Sequence, residues 1–161
     1  MAIVDVIFDR TISPNENMVA PNTDDYFLAT ETAFKCIVNG LSYSNHTTET
    51  IKTVLDFGCA HGRVYRILTA GFPNAHHTAC DLIADGAKFC AETFGGSWVK
   101  SYEDVHLTSF DREFDLNLDR VGIYPFARAP VALTARFPCS KYRERRCSRF
   151  YCSRSIRYSI F

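Results

Sequence analysis

No apolar run in this 161-residue sequence approaches the roughly 20 residues that a bilayer-spanning helix needs, so no membrane protein is expected. The opening MAIVDVIFDR has no basic leader followed by an apolar stretch and a small-residue cleavage site, so no secretory signal is expected either. Disulfide-framework spacing is also missing. The seven cysteines are an odd number and suit a reducing cytosol, which makes a cytoplasmic location the expectation. There is no internal repeat and no low-complexity segment. What is there is ordinary for one globular domain: 47% hydrophobic and 22% charged residues, enough to bury a core and to exclude wholesale disorder. The net charge of zero hides a split. Residues 118–161 carry nine Arg and one Lys against Asp119 and Glu144, an excess of eight positive charges that the preceding residues offset.

Residues 1–23, with Pro14 and Pro21, show no sustained period and read as an irregular lead-in. From Asp24 the apolar positions Phe27, Phe34, Ile37, Val38 and Leu41 recur at helical spacing, with Thr23 or Asp24 as cap and Asn39-Gly40 as the stop. Ile51 to Phe57 reads as a buried strand, Arg63 to Ala70 as a helix and His77 to Asp81 as a second strand. A helix over Asp85 to Phe94 is stopped by Gly95-Gly96. A third strand follows over Ser97 to Lys100, and a fourth begins at Phe114 to Leu116. Strands alternating with helices at this spacing imply βαβ units and a mostly parallel sheet, with the loops after the strands along one edge, where ligands bind.

The first of these loops, in TVLDFGCAHGRV, carries the chemistry. Asp56 lies near the end of the first strand, Gly58 and Gly62 flank Cys59-Ala60-His61, and Asp81 ends the second strand. Glycine lets backbone approach a ligand closely, and an acid at the end of the second strand can accept from both hydroxyls of a ribose. The pyrophosphate fingerprint G-x-G-x-x-G is missing, which disfavours a nicotinamide-dependent oxidoreductase. An aspartate two residues before the first glycine fits a cationic or zwitterionic ligand without phosphate. His76 and His77 lack partners at metal spacing, so zinc is not expected. Cys36, Cys59, Cys80 and Cys90 read as small buried hydrophobes. There is no Ser/His/Asp or Cys/His nucleophile arrangement, and His61 reads as structural.

VLDFGCAHGRV resembles motif I of class I S-adenosylmethionine-dependent methyltransferases, an acidic residue followed by x, G, x, G, x, G, with Ala60 in place of the central glycine. TACD resembles the second motif of that family, and FPNAHHTACDLIADGAKFCAETFG resembles one bacterial methyltransferase subgroup. The resemblance runs from about Asp24 to Leu116. It implies an α/β fold, a Rossmann-like class I methyltransferase sheet, with S-adenosyl-L-methionine as cofactor. It also implies contacts from Asp56, Gly58, Cys59, Ala60 and Gly62, ribose recognition by Asp81 with Leu82 beside it, and an acid near the adenine at Asp104 or Glu103. Methyl transfer to an unknown acceptor needs no nucleophilic residue, because the sulfonium is already activated and positioning supplies much of the rate. No catalytic residue is therefore named.

After Leu116 the pattern collapses into an Arg-, Ser- and Cys-rich stretch with neither helical stripe nor alternating strands. Suitable codons for Asn117 to Ala129, read one base later, spell IWIGSVFTHLPA. The same shift over Glu144 to Arg154 permits SGGVLVFTAHG. These strings resemble the fourth strand and the Gly-Gly turn with fifth strand of the same family. The expectation is a cofactor-binding domain over 24–116 with an incomplete sheet of three to four strands, and an out-of-frame, irregular basic tail over 117–161. Loss of the C-terminal half would leave apolar surface and a strand edge open, and would remove much of the acceptor site, making activity doubtful. The competing reading is a non-catalytic nucleic-acid-binding protein that grips phosphates through that Arg-rich tail.

Overall fold

The computed structural model describes residues 6–19, 22–43, 46–119 and 132–135. Helix α1 spans Thr23–Ser42, and its stripe of Phe27, Phe34, Ile37 and Leu41 is buried. Its cap is Asn22, one residue earlier than expected, with Oδ1 accepting from the Asp24 N–H at 2.9 Å. The helix also runs past Asn39-Gly40. Leu41 continues the stripe and packs into the core, which offsets the roughly 1 kcal/mol that a glycine costs inside a helix.

Strand β1 (Thr53–Phe57), helix α2 (Tyr65–Gly71), β2 (His76–Asp81), α3 (Ala84–Phe94) and β3 (Ser97–Lys100) form two successive βαβ units. A short 3₁₀ turn at Val105–Leu107 precedes β4 (Leu116–Asp119) and β5 (Ala132–Ala135). The sheet order is β3-β2-β1-β4-β5. β1 to β4 are mutually parallel, while β5 runs antiparallel to β4. This is a small α/β domain compatible with a Rossmann-like fold. β5 falls in the segment expected to be irregular. Four residues are too few to display an alternating pattern, and the strand is defined by its pairing with β4. The remainder of the expected out-of-frame tail lies outside the described residues.

Register places Val54, Asp56, Ala79, Leu116 and Leu118 on one sheet face. Helices α1 and α2 cover Val54, Leu116 and Leu118 with Phe34, Ile37, Leu41, Ile67 and Leu68. Tyr65 of α2 and Ala87 and Cys90 of α3 cover Ala79 and Cys59. Full burial of each large apolar side chain contributes about 1.5–3 kcal/mol. The start of β4 is tied to the start of β1 by Asp115. Its Oδ2 accepts from the N–H groups of Lys52 (2.7 Å) and Thr53 (3.0 Å), and its own N–H donates to Thr53 Oγ1 (2.9 Å). Among the described residues, no helix is long and apolar enough to cross a membrane.

His77, on β2, is 6% exposed and donates from Nε2 to the Phe72 carbonyl at 3.0 Å. Burial pushes its pKa below the ordinary value, so the fold favours the neutral ring. The unfolded chain takes up a proton as pH drops below about 6.5, and the folded state resists it. Stability is therefore full above that value and falls as the pH drops through the His77 range. Urea midpoints should be lower at pH 5.5 than at pH 7.5, and His77→Gln should flatten part of that slope. An unchanged slope in the variant would assign the loss to other groups.

Candidate ligand site at the carboxyl ends of the strands

The strand order places the topological switch point between β1 and β4, and the β1 and β2 loops open at the carboxyl edge, the usual ligand edge of such sheets. The β1 loop runs from Gly58 to Val64. Its first two N–H groups, from Gly58 and Cys59, both donate to the Cys80 carbonyl at 2.7 and 3.1 Å, which holds the loop against β2. Gly58 (φ 79°), Ala60 (φ 47°) and Gly62 (φ 86°) all adopt left-handed backbone. The loop therefore demands the conformation at three alternate positions, and the chain supplies glycine at two of them. At Ala60 the missing glycine costs about 1–2 kcal/mol, which the surrounding contacts must offset.

Those contacts are specific. The Ala60 N–H donates to Asp81 Oδ2 at 2.7 Å, while Asp81 Oδ1 accepts from the Ile83 N–H at 2.9 Å. Asp81 thus joins the loop after β1 to the loop after β2, and it is 9% exposed. Its carboxylate offers about four acceptor positions, of which these bonds use two. The Gly62 carbonyl accepts from Arg66 Nε at 2.9 Å, and His61 Nε2 lies 3.3 Å from Asp85 Oδ2 at the start of α3. Asn15 Nδ2 donates to that same Asp85 oxygen at 2.9 Å. These bonds hold the Asp85 carboxyl below the ordinary carboxylate range, Asn15 contributing most.

Of the residues expected to hold a ligand, Gly58, Cys59, Ala60, Gly62, Asp81 and Leu82 converge on this edge. Asp56, on β1, is fully buried and offers no open surface to a ligand. Cys59 is likewise fully buried beside Cys90, its N–H donating to the Cys80 carbonyl and its carbonyl accepting from the Gly62 N–H, so it shapes the loop from within. Hydrogen bonding to Cys90 and burial push the Cys59 thiol far above its ordinary value, and burial raises Cys80 to about 12, so both are inert at neutral pH. Leu82 and Ile83 are about half exposed beside Asp81. Glu103 and Asp104 are exposed, and Asp104 Oδ1 accepts from the His106 N–H at 3.1 Å at the 3₁₀ turn. Among the described residues, no group of three or more His, Cys, Asp or Glu could hold a metal ion. The Arg-rich stretch that would grip nucleic acid lies outside the described residues.

Two positions that shape the loop carry no signal in the sequence. Arg66 is 1% exposed and threads between loop and lead-in. Besides Gly62 it donates to the carbonyls of Asp9 (3.2 Å) and Thr11 (2.8 Å) and to the Tyr26 hydroxyl (3.3 Å). Tyr26 passes the interaction on, donating to Glu16 Oε2 at 2.8 Å, and the guanidinium lies 4.7 Å from the Phe94 ring centroid. Gly86 is the second. A Cβ there would meet the Ala60 carbonyl oxygen at 2.4 Å, so α3 approaches the loop as closely as only glycine allows. Gly86→Ala should displace the loop backbone, destabilise the fold by about 1–3 kcal/mol and weaken any ligand held there. Urea denaturation together with ligand titration checks this, and a neutral substitution would mean that the contact yields.

The chain matches no protein-family model and no curated protein. The fold is a small α/β domain, with a loop of left-handed backbone at the carboxyl ends of its parallel strands.

Proposed function

We propose that this edge binds S-adenosyl-L-methionine, and that the chain is a class I methyltransferase by descent. The observation that carries the reading is Asp81. Its carboxylate closes the junction of the two loops with two acceptor positions and keeps two more, the number that two adjacent ribose hydroxyls require. The left-handed backbone at positions 58, 60 and 62 brings main chain, not side chains, to the ligand edge. Leu82 and Ile83 offer apolar surface beside Asp81 for an aromatic base.

In this reading the bound group supplies an electrophilic methyl on a sulfonium, and the protein's part is to hold and orient it while excluding water. Gly58 and Ala60 present backbone, the buried Cys59 and Gly62 hold its shape, Asp81 holds the ribose, and Leu82 lines the base. Asp104 is the acid available after β3, at the site where the family places an adenine contact. The acceptor side would draw on residues beyond β4, where the sequence loses the family pattern, so binding without turnover is the expected behaviour. Isothermal titration with S-adenosylhomocysteine tests the reading. Saturable binding to the folded chain is expected, and no heat from well-folded protein over a range of temperatures would sink it.

A further inference from the structure

Two side chains join the lead-in to the ligand loop, Arg66 through the Asp9 and Thr11 carbonyls and Asp85 through the Asn15 amide. Arg66 bridges the Thr11 carbonyl and the Gly62 carbonyl, and Asp85 bridges the Asn15 amide and the His61 ring. Residues 9–16 therefore form a strap fastened at two points to two consecutive loop residues, immediately after the strained Ala60. Its remaining ties run to α1 and not to the loop: the Tyr26 hydroxyl donates to Glu16 Oε2, and Arg10 pairs with Glu31 and lies over the Phe27 ring. Asp9, Arg10, Thr11, Pro14 and Asn15 are exposed, and only Ser13 is buried. A turn in which Ser13 Oγ accepts from the Asn15 N–H, and the Ser13 carbonyl from the Glu16 N–H, presents the Asn15 side chain to Asp85.

We propose that Asp85 is a positioning residue for the ligand loop: its carboxylate joins the strap, through Asn15, to the loop, through His61, so that the loop keeps its binding conformation when the strap is seated. Arg66 is buried, so its fastening opens only with the packing around it. Asp85 has a side chain 62% exposed, and its fastening is the one that can open. The His61 ring is tilted against Phe89 of α3, with ring centroids 6.4 Å apart, so when Asp85 lets go the ring retains a neighbour while the Asn15 tether is lost. At this exposed fastening, strap and loop meet on a single oxygen atom, Asp85 Oδ2.

The inference rests on the proposed ligand only for its affinity arm. Hydrogen exchange on the full chain without ligand is the first arm. Asp85→Ala should raise exchange of the Thr11, Asn15, Glu16 and Met18 amides about three- to tenfold, the equivalent of one surface hydrogen bond, and leave the amides of β1 and β2 unchanged. Asp85→Asn, which keeps an acceptor oxygen, should restore most of the protection. Asn15→Ala provides the same readout from the strap side if Asp85→Ala folds poorly. In the second arm, Asp85→Ala and Asn15→Ala should each weaken S-adenosylhomocysteine several-fold at unchanged melting temperature, and the double variant should lose little more than either single one. Unchanged strap exchange in both single variants, or fully additive affinity losses, would overturn the proposal. Absence of binding to the wild type, with exchange responding as stated, would count against the ligand and leave the latch standing.

Discussion

Replacing Arg66 by alanine should lower the unfolding free energy by about 3–5 kcal/mol, a large share of the roughly 5–15 kcal/mol that holds an ordinary domain together. The guanidinium is 1% exposed, and four acceptors depend on it: the carbonyls of Gly62, Asp9 and Thr11 and the hydroxyl of Tyr26. Its removal leaves Gly62 O without its side-chain donor and empties a space bounded by the rings of Tyr26, Phe27 and Phe94. Arg66→Lys should recover little, because an ammonium cannot reach a loop carbonyl and two lead-in carbonyls in one plane. Urea denaturation followed by circular dichroism measures both. A loss below about 1 kcal/mol for the alanine variant would mean that the lead-in and the loop are held by other means.

Asp81→Ala should abolish most ligand affinity, by about a hundredfold or more for S-adenosylhomocysteine. Two hydrogen bonds from ribose hydroxyls to a carboxylate are worth about 1.5–3 kcal/mol each. The same change strips the acceptor from the Ala60 and Ile83 N–H groups, so the loop loses the bond that steadies its left-handed alanine. Asp81→Asn separates the two effects. It keeps one oxygen for a backbone N–H but offers an amide group where the second acceptor stood, so stability should recover more than affinity does. Titration calorimetry paired with melting curves reads both quantities. Equal affinity for the wild type and both variants would remove Asp81 from the site.

The parts of this architecture that were legible in the sequence are those governed by local pattern. The stripe of α1, the β-branched run of β1, the Gly95-Gly96 stop after α3 and the acid ending β2 all report conditions that a residue meets within its own segment. Both ends of β3 and the last residues of β1, β2 and α3 fall where the pattern puts them, and other ends shift by one to three residues. Caps and last turns are decided by tertiary packing, as when Leu41 carried α1 past its glycine. Arg66 was illegible for a different reason. Beside Val64 and Ile67 it looks like an ordinary polar position on a short helix. Its burial depends on carbonyl groups 55 and 57 residues earlier in the chain. Asn15 and Asp85 are 70 residues apart and carry no motif, and Gly86 reveals its purpose only when α3 lies against Ala60. β5 was missed because a four-residue strand at a sheet edge owes its existence to its neighbour.

The Asp115 tie has a consequence for the order in which the chain assembles. β1, β2 and β3 join through consecutive crossovers, so their pairing closes short loops and can proceed while later residues are still free. β4 instead returns to β1 across 62 residues, inserting on the far side of a strand already paired with β2. That closure carries the largest entropic cost among the pairings of the parallel strands and should come late. Three hydrogen bonds converging on Asp115 at the point of first contact act as a register stop. A slip of one residue would turn Leu116 and Leu118 away from the core and leave the Lys52 and Thr53 amides without their carboxylate. Kinetically, Asp115 is the residue at which a fast-forming βαβαβ unit becomes committed to its fourth strand.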